Sequence, residues 1–559
     1  MAIIPKVQKA EISDKTVNLS KLNWIFDADI DSRITNEAYS IQKGCSCGFP
    51  VHISAGETDS EAYRLEINED KAIISSDGAN GAFYALQTLK QLIAENGGIV
   101  HCQTIDDAPG LKYRGFYHDV TRGKVPTLDT LKELVDTMAS YKMNSLQLYI
   151  EHTFEFKEYE FCRDKFGYLT KDEIRELDKY CKSKFIELIP SISTFGHLYE
   201  LLSCDKYKHL CELKDFTPKY HYWWERMLHH TINPELDESF ELIKSLIDQY
   251  LEVSTSDKFN ICCDETFDLG TGVNKGKDKG KLYVTFVKKL IEYLSSKGKT
   301  VMMWGDILLQ HPECISELPE NVIFLNWGYD KNPPEDQYRK MYETGRIQIM
   351  CPGTSSWDNM TEDVAVEDGN ITALAEYAYK FGAEGILNTN WGDFGNMASI
   401  TTSSYGLVLG AALSWNKDTK ADSEFKKAVS EQIYGNEETV ELIGKISDMK
   451  NFLHWYTIVV RDKREPVDEK IYIDGIKQLQ DIRQKLEKLS FKSELIKREV
   501  LVAVDGYLLI AQGCAKFDGH SVSCGVDVNT WSDEYSKMWL ARNKQSELNE
   551  VIKVMKERT

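Results

Sequence analysis

The chain reads as an α/β protein: a (β/α)8 TIM barrel, preceded by a small α/β domain and followed by a mostly helical C-terminal region. Three observations predict this. From residue 112 to residue 415, short apolar strand patterns alternate eight times with helical ones. The strands are nearly continuous apolar runs, as parallel strands buried on both faces should be. The two ends of the chain break the alternation, so residues 1–105 read as an N-terminal α/β domain, 110–416 as the barrel and 417–559 as a helical region.

Residues 62–68 (AYRLEIN) and 71–75 (KAIIS) read as strands joined by the turn Glu69-Asp70. In 81–93, Ala82, Ala85, Leu86, Leu89 and Leu92 share one helical face. The run Asp106-Asp107-Ala108-Pro109-Gly110 is a linker. The first barrel strand, 113–120, precedes a helix with Leu131, Leu134, Val135 and Met138 on one face. Strand two is 145–150, with a helix at 170–184. Strand three is 185–192, followed by a long aromatic-rich loop and a helix at 236–254. Strand four, Phe259 to Cys263, runs into Asp264 and Glu265 and is followed by a helix at 280–297. Strands five to eight are expected at 300–307, 322–329, 347–354 and 383–391. The last three of these are followed by helices at 335–344, 369–381 and 404–415. Beyond 417, residues 500–517 read as a buried helix and 537–558 as one long amphipathic helix, a surface suited to a homodimer.

Composition narrows the function. A net charge of −21 repels phosphate backbones, which argues against nucleic acid as a partner. No stretch reads as the roughly 18 apolar residues of a membrane span. The start, MAIIPKVQKAEISDK, lacks the basic and apolar segments of a signal peptide, so a cytoplasmic location is expected. The 13 cysteines are odd in number and scattered, and read as reduced core residues. Nothing near Cys45 and Cys47 completes a zinc set, and neither a metal nor a cofactor is expected.

Active-site residues of such barrels gather at the C-terminal ends of the strands. In order, those ends carry Asp119 and Arg122, Glu151 and His152, His197, Asp264 and Glu265, Trp304 and Asp306, Asn326, Trp327 and Tyr329, Trp357 and Asp358, and Asn390, Trp391 and Asp393. Each has a plain reading: a tryptophan can be core, His197 a loop histidine, Arg122 a surface cation, and the Asp-Glu pair an exposed acidic turn. Their collection on one rim points to chemistry. Two adjacent acids repel, which raises the pKa of one and separates a proton donor from an ionised partner. Tryptophan faces suit a pyranose ring, and Arg122 and Asp393 can hydrogen-bond its hydroxyls. The rim suits removal of a sugar.

The motifs together resemble glycoside hydrolase family 20, the β-N-acetylhexosaminidases. RGFYHDVTRGKVP (114–126), IPSISTFGH (189–197), CCDETF (262–267), VMMWGDI (301–307) and NTNWGDF (388–394) are similar to that family's strand-end motifs, in the same order. Residues 62–93 resemble the small domain before its barrel. The resemblance implies an exo-acting enzyme on glycans with terminal β-linked GlcNAc or GalNAc, retaining and substrate-assisted. It implies Glu265 as general acid and base, and Asp264 as the residue that orients the 2-acetamido group. Arg122 and Asp393 are implied on the outer hydroxyls, Trp304, Trp327 and Trp391 around the acetamido group, and His197 behind the acid. Glu151, His152, Tyr329 and Trp357 join the expected substrate-binding set. Two segments depart from the family: Glu151-His152-Thr153 stands for its two aspartates after strand two, and Ser355-Ser356-Trp357-Asp358 for its tyrosine after strand seven. Holding the acetamido oxygen then falls to another tyrosine, such as Tyr329, if one reaches in. A non-catalytic amino-sugar-binding barrel, or a glycosidase of this fold acting on another glycan, is the alternative.

Overall fold

The computed structural model describes residues 3–559 apart from 96, 215, 229, 450, 451, 454 and 461–464, and of residue 457 the backbone alone. Parts of the expected helical region and of the aromatic-rich loop after strand three therefore lie outside the described residues.

The N-terminal domain is a sheet of six strands: β1 (Lys9–Asn18), β2 (Leu22–Phe26), β3 (Phe49–Thr58), β4 (Tyr63–Ile67), β5 (Ala72–Gly78) and β6 (Ile99–Asp107). Their order is β1-β6-β4-β5-β3-β2. The expected hairpin is β4–β5, antiparallel. The helix Ala79–Glu95 lies against this sheet with Ala82, Ala85, Leu86 and Leu89 buried. The domain is fastened to the barrel by ion pairs. Arg114 meets Glu61 at 2.5 Å, and Lys142 meets Asp107 at 3.0 Å with both side chains fully buried. Trp415 Nε1 donates to the other Asp107 oxygen at 2.9 Å.

The expected barrel is present. Its strands are β7 (Tyr113–Asp119), β8 (Ser145–Ile150), β9 (Glu187–Ile192), β10 (Lys258–Asn260), β11 (Thr300–Trp304), β12 (Ile323–Trp327), β13 (Ile347–Cys351) and β14 (Gly385–Asn390). All pairs are parallel, and β9–β10, joined at Ser191 and Asn260, completes the circle. Side chains alternate between the two faces of each strand. Tyr113, Tyr117, Tyr149, Met302, Trp304, Leu325 and Trp391 fill the lumen as one cluster, while Phe116, Leu146, Leu148 and Phe324 pack outward. The lumen is therefore a floor of aromatic rings.

Two differences from expectation bear on the site, each with a local reason. Strand four ends at Asn260 rather than Cys263. Asn260 Oδ1 accepts the Cys262 N–H at 2.9 Å, and Cys262 and Cys263 take positive φ angles of 55° and 64°. The expected helix over 537–558 is two helices, Val528–Arg542 and Leu548–Arg558. The intervening turn pairs with the barrel instead: Lys544 N donates to Val125 O at 2.8 Å and Glu547 N to Gly123 O at 3.2 Å. The stretch 500–517 belongs to the helix Glu494–Phe517. This helix corrects the reading that no stretch is long and apolar enough for a membrane. It meets that test by length and composition, but 72% of its apolar window is buried within the fold.

Candidate active site

The loop after β10 sets the site. In a regular strand Asp264 and Glu265 would point to opposite faces. Positive φ at Cys262, Cys263 and Glu265 breaks that alternation, and both carboxylates face one cavity at the C-terminal end of the barrel. Backbone strain of this kind collects at functional sites. The Glu265 N–H is held by Asp306 Oδ2 at 3.0 Å.

The cavity has a volume of about 170 Å³ and is lined by Arg122, Met227, Asp264, Glu265, Trp304, Trp327, Tyr329, Trp357, Trp391 and Asp393. It is smaller than the ~300–1,000 Å³ typical of drug-sized pockets, which suits one ring rather than a chain. Trp304, fully buried, and Trp391 lie 5.9 Å apart at 46°. Tyr329 stacks on Trp327 at 5.2 Å and meets Trp357 edge-on at 5.0 Å. The Tyr329 hydroxyl accepts from Trp391 Nε1 at 2.7 Å, so the tyrosine after β12 is tied to the tryptophan after β14. Gly353 makes this wall possible, since a Cβ there would stand 2.8 Å from the Trp357 ring and 2.9 Å from Tyr329.

His197 lies beneath the acids, its Nε2 3.3 Å from Asp264 Oδ2 and 3.3 Å from Glu265 Oε2. Burial works against its charge, but the two carboxylates override it and lift its pKa to about 10. Arg122 Nη2 stands 3.3 Å from Nδ1 and opposes a proton there. The proton the ring holds most firmly is thus the one on Nε2, between the acids. Arg122 is itself buried. It pairs with Asp393 at 2.6 Å and Glu151 at 3.3 Å, meets the Tyr149 hydroxyl at 3.2 Å, and lies over the Trp391 ring at 5.1 Å. Burial raises the Asp393 pKa and Arg122 holds it back. Burial, and then the charge of Asp264, push the Asp306 carboxyl up to about 8, so it carries a proton at neutral pH.

Nine of the twelve expected catalytic and substrate-binding residues line the cavity. Glu151 and His152 do not, and His197 lies under the acids rather than in the wall. Glu151 stands behind Arg122 and accepts from the Tyr149 hydroxyl at 2.8 Å. His152 faces away, its ring 4.5 Å from Phe166, and burial drives its pKa well below the usual value. An imidazole in that apolar setting cannot reach a sugar. Sequence reasoning missed Met227, Tyr149 and the part played by Asp306. Met227 ends a helix of six residues, too short to show a periodicity, and Tyr149 lies within a strand rather than after its end.

Ligand atoms of His197, Asp264 and Glu265 lie within 4.8 Å of one another, a spacing that would admit a cation. The same spacing serves a shared proton, and the Arg122 guanidinium beside the ring disfavours a second positive charge.

Residues 111–429 match the catalytic domain of glycosyl hydrolase family 20, and residues 1–108 match domain 2 of that family. A β-hexosaminidase of Porphyromonas gingivalis is 26% identical over 44% of this chain and 36% of its own length. Bovine hexosaminidase D is 26% identical over 37% of this chain and 60% of its own. The matched segments thus span from about a third to three-fifths of these curated relatives. Among solved structures, a chitobiase of Flavobacterium johnsoniae superposes with a TM-score of 0.63 at 16% identity, covering 99% of this chain and 98% of that one. A β-N-acetylhexosaminidase of Bacteroides fragilis gives 0.63 at 18% identity, covering 77% and 95%. With the strand-end acids, the aromatic cavity and both domain matches in place, the chain belongs to glycosyl hydrolase family 20.

Proposed function

We propose that the protein is an exo-acting β-N-acetylhexosaminidase that removes terminal β-linked GlcNAc, GalNAc or both by a retaining, substrate-assisted mechanism. The observation that carries this reading is the acid pair: Asp264 and Glu265 face the same small tryptophan-lined cavity and share one imidazole. Two carboxyl groups that straddle a ring would serve direct displacement. Adjacent acids serve a reaction in which the substrate brings its own nucleophile.

In this reading Glu265 donates its proton to the glycosidic oxygen as the bond to the anomeric carbon breaks. The acetamido carbonyl oxygen attacks that carbon from the opposite face, giving an oxazolinium. Asp264 accepts the acetamido N–H and offsets the positive charge that develops on it. Glu265, now ionised, takes a proton from water, and the water oxygen opens the oxazolinium with net retention. Trp304, Trp327, Trp357 and Trp391 wall the ring and the acetamido methyl. The Tyr329 hydroxyl donates to the acetamido oxygen, the task of the tyrosine that Ser355 to Asp358 lack. Arg122 and Asp393 fix the outer hydroxyls. The names of the relatives, β-hexosaminidase and hexosaminidase D, support the substrate class.

Hydrolysis of p-nitrophenyl β-GlcNAc and β-GalNAc, beside p-nitrophenyl β-glucoside, tests the reading in wild type and Glu265→Gln. The expected result is cleavage of the acetamido sugars alone, reduced about 10³-fold or more in kcat by the substitution. Equal cleavage of the glucoside, or a fully active Glu265→Gln enzyme, would remove the acid pair from this mechanism.

A further inference from the structure

The helical region beyond residue 429, where the family match ends, reaches the segments around the active site, most directly through a buried carboxylate. Glu547, 4% exposed, accepts from Arg226 Nη2 at 2.5 Å and from Trp223 Nε1 at 2.7 Å. Both donors belong to the short helix Tyr222–Met227, whose last residue lines the cavity. The Glu547 N–H donates to Gly123 O at 3.2 Å, next to Arg122. Trp223 also occupies the space beside Gly395, where a Cβ would stand 2.7 Å from its ring. The neighbouring Trp224 stacks on Phe394 at 6.1 Å. A second C-terminal residue, Trp455, donates through Nε1 to Phe394 O at 2.8 Å. Three wall residues, Met227, Arg122 and Asp393, therefore each adjoin a segment tied to the C-terminal region.

A helix as short as Tyr222–Met227 does not hold itself. Its anchors are the pairing of Arg226, a buried cation, with Glu547 and, at its N-cap, that of His221 with Glu550 at 2.9 Å; Glu200 is more distant from Arg226 at 3.6 Å. Loss of the Glu547 charge leaves that guanidinium poorly compensated, and the whole short helix must move to find another partner or water. Met227 and the loop carrying Asp393 would move with it.

Resting on the hexosaminidase reading, we propose that Glu547 is a positioning residue that fixes the Met227, Arg122 and Asp393 wall of the sugar site. The C-terminal helices are then part of the binding machinery rather than an appendage. Glu547→Gln keeps the side-chain volume and an acceptor for Trp223 but removes the charge that holds Arg226. It is expected to raise KM for p-nitrophenyl β-GlcNAc about tenfold, and the inhibition constant of free GlcNAc equally, with kcat changed less than about threefold. Glu547→Asp, which keeps the charge, should fall between Gln and wild type. Trp455→Phe, which loses only the N–H, should shift KM in the same direction by less. A purely structural role would lower apparent kcat with the folded fraction and leave KM and the inhibition constant unchanged. That result in both Glu547→Gln and Trp455→Phe overturns the proposal while wild type still cleaves the glycoside. A wild type that neither cleaves it nor binds GlcNAc overturns the hexosaminidase reading and this proposal together.

Discussion

Asp306 is not among the residues that line the cavity, yet it bears on both acids of the pair. Its Oδ2 fixes the Glu265 N–H, and its carboxyl, buried beside Asp264, has a pKa raised from 3.8 to about 8. A raised carboxyl pKa has a defined sign in stability. The contribution is fully present below about pH 4, where the unfolded chain is also protonated, and is lost as pH rises to about 8. Asp306→Asn cannot ionise, so the melting temperature of this variant relative to wild type should rise steadily between pH 4 and pH 8. A difference that stays constant with pH would mean that Asp306 is ionised throughout. At this scale the sequence was informative where function needs a particular residue type at a strand end. Asp264, Glu265, Arg122 and Asp393 were legible for that reason. His152 was not, because its neighbours Phe166 and Tyr159, which turn it from the cavity, come from the following loop. No local pattern reports which way such a side chain faces.

Among the elements, the end of β10 and the loop after β13 decide the shape of the site. Gly353 lies where the Trp357 and Tyr329 rings close on the backbone. In Gly353→Ala the new methyl would displace both rings, and we expect KM for the acetamido glycoside to rise about tenfold with a smaller change in kcat. Steady-state kinetics on the purified variant decides it, and an unchanged KM would show that the wall yields without consequence. The barrel strands were legible as apolar runs because each is buried on both faces. The break at Cys262 was not, since Ile261, Cys262 and Cys263 continue the apolar run while Asn260 Oδ1 takes the Cys262 N–H and the backbone turns to positive φ at Cys262 and Cys263. The break in the last helix was hidden likewise. The residues 543–547 have no helix-breaking proline or glycine, and it is the barrel carbonyls of Gly123 and Val125 that draw the turn out. The outer strands of the N-terminal sheet were missed as well. β1 is almost wholly exposed and therefore lacks the apolar alternation by which β4 and β5 were read.

Taken as a whole, the molecule is a barrel braced from both sides. On one side Lys142 and Asp107, both fully buried, join barrel to sheet, and Trp415 donates to the same carboxylate. Lys142→Ala would strand the Asp107 charge, and unfolding in urea should show a loss of about 3–5 kcal/mol; a loss below about 1 kcal/mol would mean that water reaches the pair. On the other side, Glu547 and Trp455 brace the rim itself. The three-part division was readable in the chain because helical periodicity replaces alternation near residue 417. The contact between the third part and the active site was not, because it is made by single buried polar groups far apart in sequence.

The central claim is that the substrate's acetamido oxygen, and not an enzyme carboxylate, attacks the anomeric carbon. Its most direct test is a series of p-nitrophenyl β-glucosaminides whose N-acetyl group carries none, one, two or three fluorines. Fluorine withdraws electrons from the carbonyl oxygen while changing its size little. Substrate assistance by way of Asp264 predicts that kcat/KM falls steeply and in order along the series, and that the first product formed has the β configuration by proton NMR. A flat series, or an α product, would contradict it.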